Sequence, residues 1–524
     1  MASQEQKMSW QDIAAQKRQA LRDSIPAEWR IPADLLPSEQ SQPDVTTFPA
    51  QSGWFTPAEL AITTTPAAEL LAKLRAREWT AEEVARAFCK RASAAHQLIN
   101  CLSETLFDLA IATARSLDAH LARTGTPLGP LHGLPISLKD NIDIAGVDST
   151  LGFTSRVHAP APRNAVLADL LLAAGAVPYV KTNVPTAMMY AETVNQVFGP
   201  TRHPRHPGLT PGGSSGGEAA LIAFGGSVLG VGSDIGGSLR IPAACTGLWT
   251  LRPSAGRFPT GRCSSGLPGQ EAVASVNGPL APCLDTLRLY ARAVVDAEPW
   301  RKDPKCLPIP WRDVQAPKKL RVGVLWHDGV VEPHPPVRRA LQETVDKLRK
   351  AGHEVVDWSC EGHKRATELI HAFFHADGGA TIASLLAPSH EPLPPYMHLY
   401  APAAPLSIAE LWQLQAERTA LQAAYLERWN EAGLDAVLCP TMPYAAVPKG
   451  RFGYFGYTCV WNCLDYAAVN FPVGVRVGEG AGVGGWDREG EEGDGDAEAV
   501  EEMLRGQPVS LQLVAGRLEE EKLL

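Results

Sequence analysis

Residues 212–242, GGSSGGEAALIAFGGSVLGVGSDIGGSLRIP, set two serine-bearing glycine turns on either side of an apolar run. Glycine reaches backbone angles that other residues avoid, so the N–H groups of such turns can converge on one point. A hydroxyl nucleophile beside converging donors is what acyl transfer requires. Upstream, Leu134-Pro135-Ile136-Ser137-Leu138-Lys139-Asp140 reads as a short apolar strand that delivers a lysine at its end. On its own Lys139 reads as a solvated surface residue. The apolar strand that carries it, the Asn141 and Asp143 that follow, and the two serine turns give it a second reading as a buried base.

Other chemistries fit these glycines poorly. The run 212–217 lacks the Lys-Ser/Thr ending of a phosphate loop, and Gly230-Val231-Gly232-Ser233-Asp234-Ile235-Gly236 is one residue out of register with a dinucleotide turn. Gly213-Ser214-Ser215-Gly216-Gly217 matches the G-x-S-x-G string, which would make Ser215 the nucleophile. That elbow must follow a strand directly, and Arg205-His206-Pro207-Gly208-Leu209-Thr210-Pro211 argues against one. His203 and His206 are three apart, but Pro204 and Pro207 break any helix that would bring both rings to one face.

The elements that must position these residues follow from patterning. Thr65-Pro66 has the chemistry of a helix start. Thr80-Ala81-Glu82-Glu83 is a capping box, and Val84, Ala87 and Phe88 follow as an apolar face. Short apolar strands at 134–139, 176–182 and 227–232 alternate with helices, which argues for a helix-flanked α/β sheet. A proline-rich connection at 299–317 leads to a strand at 319–325 and a helix at 336–351. Further strands are expected at 434–439 and 509–515. A final helix at 518–524 is barely two turns long and needs docking to persist. Residues 1–60 read as an arm: a helical start over 10–24, then a proline-spaced extension with Trp10, Trp29 and Trp54 as anchors. The arm can pack on its own body or on a neighbouring copy, so a homodimer stays open.

Composition narrows the class. With 524 residues, 45% of them apolar and 20% charged, the chain is ordinary globular material. The formal charge of −9 is concentrated at 479–502, where ten acids face one base, Arg488; the remainder is close to neutral. No basic stripe tracks a phosphate backbone, so nucleic acid is not an expected partner. The glycine- and acid-rich segment 478–500 reads as a disordered surface loop. Ten scattered cysteines suit buried thiols in a reducing compartment. The N-terminus has no secretory h-region, and apolar runs such as 165–180 are too short or too broken to span a bilayer. A cytoplasmic protein is expected.

Residues 212–242 resemble the signature of the amidase signature family. The likeness extends to residues 135–141, Thr182-Asn183-Val184-Pro185, Leu251-Arg252-Pro253-Ser254, Leu438-Cys439-Pro440-Thr441, Val469-Asn470-Phe471-Pro472 and residues 509–521. Trp10-Gln11-Asp12-Ile13-Ala14 is similar to the fungal acetamidase or general amidase branch, and the fatty acid amide hydrolases share the signature spacing. The resemblance implies an α/β fold with a large mixed sheet flanked by helices, an arm over 1–60 and an amidase domain over 61–524.

It also implies a Ser–cisSer–Lys triad: Ser238 as nucleophile, Ser214 as bridge after a cis peptide, and Lys139 as base. Backbone N–H groups of Ile235, Gly236, Gly237 and Ser238 would form the oxyanion hole. Ser215 would support the network, and Asp234 and Arg240 would hold the nucleophile turn by pairing. Met188 and Met189 sit where relatives line the acyl pocket, although plain core packing explains two methionines equally well. The implied substrate is a small carboxylic amide, with no metal or organic cofactor required.

The chain departs from the family at Cys245-Thr246-Gly247 and Thr250, which bears on pocket packing and substrate preference, and relatives run on into a longer terminal helix than the one at 518–524. Two other readings share the signature: a catalytically silent amidase-like subunit, and the glutamine-dependent subunit of an amidotransferase.

Overall fold

Eleven strands build one mixed sheet in the computed structural model, which describes residues 8–38, 42–315, 317–478 and 497–524. In chain order they are β1 (Leu102–Thr105), β2 (Pro135–Lys139), β3 (Val177–Thr182), β4 (Gly230–Asp234), β5 (Trp249–Arg252) and β6 (Val276–Ala281). There follow β7 (Arg321–Val324), β8 (Glu354–Asp357), β9 (Ala436–Pro440), β10 (Ala467–Arg476) and β11 (Pro508–Ala515). Across the sheet the order is β1-β3-β2-β4-β6-β5-β10-β11-β9-β7-β8. Two parallel groups, β3-β2-β4 and β9-β7-β8, flank an antiparallel centre. This is the mixed, helix-flanked α/β sheet expected from the sequence.

The strands that carry the chemistry are the most deeply placed. Every residue of β2, β3 and β4 is buried, as parallel strands covered by helices on both faces must be. Ser137 and Leu138 of β2 pair with Gly230 and Val231 of β4, which sets the end of β2 beside the stretch that carries the second serine turn.

Several boundaries differ from the pattern reading, each for a local reason. The strand expected at 227–232 starts only at Gly230, because Ser227 Oγ donates to Leu229 O at 2.9 Å and holds a turn there. It continues to Asp234, which pairs with Val276. Thr65 does not open a helix: its hydroxyl donates back to Ala61 O at 2.7 Å and closes Pro57–Thr64, while the next helix, Ala67–Ala76, starts after Pro66. The capping box at Thr80 forms in full and starts Ala81–Ile99. Of the segment 478–500, residues 479–496 lie outside the described residues. Its last residues open a helix, Ala497–Leu504, where a disordered loop was expected.

The arm packs on its own body. Its helix, Trp10–Asp23, buries Ala14, Lys17 and Leu21. Lys17 pairs with Glu104 and, at 2.7 Å, with Asp148. Trp29 is buried edge-on against Phe107 with ring centroids 5.3 Å apart, and half-buried Trp54 packs on the same core. The short final helix, Glu520–Leu523, docks through its acids: Glu520 accepts from Ser254 N at 2.7 Å, and Glu521 pairs with Arg257 and Arg312.

Candidate active site

Lys139 ends β2 with its side chain fully buried. Its Nζ lies 2.7 Å from Ser214 Oγ, 2.8 Å from Ser233 Oγ and 3.5 Å from Ser233 O. Among the described residues no carboxylate pairs with it directly. Burial lowers its pKa to about 7, against the weaker opposing pull of Asp234, Glu218 and Asp140. Ser233 was missed by the sequence reading. Its signal is only its place on β4, next to the strand that ends in Lys139.

The first serine turn sits between β3 and β4 because glycine lets it approach backbone closely. A Cβ on Gly217 would stand 2.5 Å from the N and O of Asn183, so only glycine seats the helix Gly216–Ala223 there. The Gly213–Ser214 peptide is cis. Ser214 points at Lys139, while Ser215 turns away from the cavity described below: its Oγ lies 3.3 Å from Ser233 O and accepts from Ser233 N at 3.4 Å. The N–H of Ser215 also donates to Ser238 O at 3.2 Å, which ties the two turns together. No strand precedes Ser214, so the hydrolase-elbow geometry is absent.

The second turn is braced from behind by a buried charge. Asp234 accepts from Gly237 N at 2.8 Å, Leu239 N at 3.1 Å and Asn462 Nδ2 at 2.8 Å. Arg240 meets the same carboxylate through Nε and a terminal nitrogen, both at 3.1 Å. Burial opposes the charge on Asp234, but Arg240, helped by Arg252 and Asn462, outweighs it and brings the pKa down to about 2. Arg240 also donates to Thr458 O, Gln512 Oε1 and Asn462 Oδ1.

Of the four N–H groups expected to face an oxyanion, one does not. Gly237 gives its N–H to Asp234, and Thr458 Oγ1 holds the neighbouring Gly236 carbonyl at 2.7 Å on the other side of that peptide. Ile235, Gly236 and Ser238 line the cavity, and no acceptor among the described residues takes their N–H groups. Asn462, Gln512 and Thr458 come from distant segments and had no sequence signal tying them to this turn.

Ser238 is half-buried on the wall of a cavity of about 560 Å³. Its Oγ makes no hydrogen bond to a described residue, so the Ser214–Ser238 contact implied by the resemblance is not made here. Contacts of this kind often tighten only around a substrate. Met188 and Met189 both line the cavity, and both also pack against a neighbouring buried hydrophobic cluster. Tyr190, His371, Phe374, Tyr396, Phe452 and Phe455 complete an aromatic wall, and among the described residues no Asp, Glu, Lys or Arg side chain lines it. The arrangement can take a proton from a hydroxyl at one end of a largely apolar chamber.

The sequence model of the Amidase family matches residues 83–524. An acetamidase of Emericella nidulans is 41% identical over 544 residues, covering 98% of this chain and 96% of that protein. An acetamidase of Aspergillus oryzae is 39% identical, covering 98% and 97%. Among solved structures, a fatty acid amide hydrolase superposes with a TM-score of 0.90 at 33% identity, over 98% of this chain and 93% of that one. With a family model matched over residues 83–524 and relatives about 40% identical almost end to end, the chain belongs to the amidase signature family.

Proposed function

We propose that this protein hydrolyses linear carboxylic amides to a carboxylate and ammonia through an acyl-enzyme on Ser238. The observation that carries the reading is the fully buried Lys139, 2.7 Å from Ser214 Oγ and without a direct counter-ion among the described residues. A serine hydroxyl attacks only if a base takes its proton, and a lysine serves only when neutral.

As Ser238 Oγ bonds to the amide carbon, its proton passes to Ser214, whose own proton moves to Lys139. The developing oxyanion meets backbone donors from Ile235, Gly236 and Ser238, each worth on the order of 100-fold in rate. Lys139 then returns its proton through Ser214 to the departing nitrogen, the C–N bond breaks, and ammonia leaves. Water attacks the ester along the same route and frees the acid. Asp234 and Arg240 hold the turn and move no proton. Met188 and Met189 contact the acyl group. The cavity has room for acyl groups well beyond acetyl, so acetamide is expected to be one substrate among longer and aryl amides.

Ammonia release by purified wild type, Ser238→Ala and Ser215→Ala decides the assignment. Ser238→Ala should be dead and Ser215→Ala impaired but active; the reverse order would refute the nucleophile. Turnover of simple amides by the isolated chain also separates this reading from a silent or partner-dependent subunit.

A further inference from the structure

The helix after the cis turn carries an acid that the proposed chemistry leaves unused. Glu218 is fully buried, and its carboxyl faces β2 and β3. Four oxygen–oxygen contacts surround it in one chain. Thr182 Oγ1 lies 2.9 Å from Glu218 Oε1, and Glu218 Oε2 lies 2.6 Å from Ser137 Oγ. Ser137 Oγ is also 2.9 Å from Ser227 Oγ, which in turn is 2.9 Å from the carbonyl of Leu229.

Each hydroxyl owns one proton. Ser227 spends its proton on Leu229 O, an oxygen with none to offer, and the neighbouring Tyr179 hydroxyl gives its own proton to the Gly226 carbonyl, so it has none left for this chain. Ser137 must then donate to Ser227, and Thr182 donates to Oε1. Three hydroxyl protons serve three of the four contacts. The 2.6 Å contact between Glu218 and Ser137 needs a fourth, and only the carboxyl can supply it.

We infer that Glu218 is a neutral carboxylic acid that donates to Ser137, and that by withholding a negative charge it keeps Lys139 free to act as a base. It is a positioning residue: it touches no reacting atom. The inference rests on Lys139 being the base of the proposed reaction.

The surroundings agree. The titratable groups that face Glu218 are Lys139 on β2, Tyr179 on β3 and Cys101 just before β1. Burial pushes the Tyr179 and Cys101 groups upward, so neither carries charge. Burial likewise raises the Glu218 carboxyl to about 8, against the pull of Ser137, Thr182 and Lys139. The remaining acids near Lys139 are Asp234, committed to Arg240, and Asp140, which accepts from Ser103 Oγ and Leu151 N. A methyl at Gly230 would overlap Glu218 Oε2, so glycine there gives the carboxyl its room.

The test compares the pH dependence of kcat/KM for wild type and Glu218→Gln, with infrared difference spectra of both proteins. Glutamine matches the neutral acid in charge and pattern, since its amide N–H can donate to Ser137 and its carbonyl can accept from Thr182. The acid limb should stay at the same pH, and wild type should show a protonated-carboxyl band that the substitution removes. An acid limb displaced by about one pH unit to lower pH, or absence of the band at pH 7, overturns the inference, because an ionised Glu218 would have been holding Lys139 charged. Ser137→Ala removes the acceptor and should shift the band; a band it leaves unmoved belongs to another carboxyl and also overturns the inference. The infrared readings need no turnover. A chain that releases no ammonia would refute the amidase reading while the band still decided Glu218.

Discussion

Asp234 and Arg240 pair with both side chains fully withdrawn from solvent, and the turn between them carries Ser238. The pair fixes that turn from behind: Asp234 holds the N–H groups of Gly237 and Leu239, and Arg240 reaches Thr458, Asn462 and Gln512.

Removing one member should therefore cost more than the pair is worth. Arg240→Met leaves a buried carboxylate without its partner and is expected to destabilise the fold by about 3–5 kcal/mol in urea unfolding. The double variant Asp234→Asn/Arg240→Met should be less destabilised than the sum of the single changes, as coupled neighbours are. Additive losses would show that the two act independently.

The lysine sets a pH requirement. With the Lys139 pKa lowered to about 7 by burial, the proposed base gains a proton below that value. The kcat/KM for a neutral amide should fall about tenfold per pH unit below pH 7 and level off above it. A flat profile down to about pH 5 would count against a lysine base.

The same shift has a cost in stability. The folded pKa of Lys139 lies below its unfolded value, so between pH 7 and pH 10.5 the unfolded chain binds the extra proton and stability rises with pH. Below pH 7 the penalty is full. Lys139→Met should abolish turnover yet stabilise the protein by about 1–4 kcal/mol, with the larger gain at pH 6 than at pH 9. Unfolding midpoints at the two pH values read this directly. Loss of stability in the methionine variant would mean that the lysine is a net structural support.

Chain-length preference should answer to the methionine wall. Met189→Trp fills part of the cavity of about 560 Å³. It is expected to lower kcat/KM for an aryl amide by about 10–200-fold, the discrimination a hydrophobic pocket commonly achieves, while acetamide stays within a few-fold. Equal losses on both substrates would place the methionine outside the acyl path.

Much of this was legible along the chain, because local physics writes it there. The apolar run of β2 with a lysine at its end, the glycines that admit a cis turn, and the Thr80 capping box are properties of neighbouring residues. They need no knowledge of what packs above them. The shift of β4 by three residues was not legible, since a single hydroxyl turn at Ser227 competes with the ladder. Nor was the capture of the Gly237 N–H by Asp234, which depends on which way one peptide faces between Asp234 and Thr458.

By itself the sequence marked a lysine at a strand end, two serine-bearing glycine turns and a helix-flanked sheet to carry them; the roles of those residues came from the family resemblance. Tertiary structure alone lowered the pKa of Lys139, because the field there depends on burial and on acids from β4 and from the helix after the first turn. It decided the aromatic wall too, since segments some two hundred residues apart share no pattern until the sheet closes beneath them.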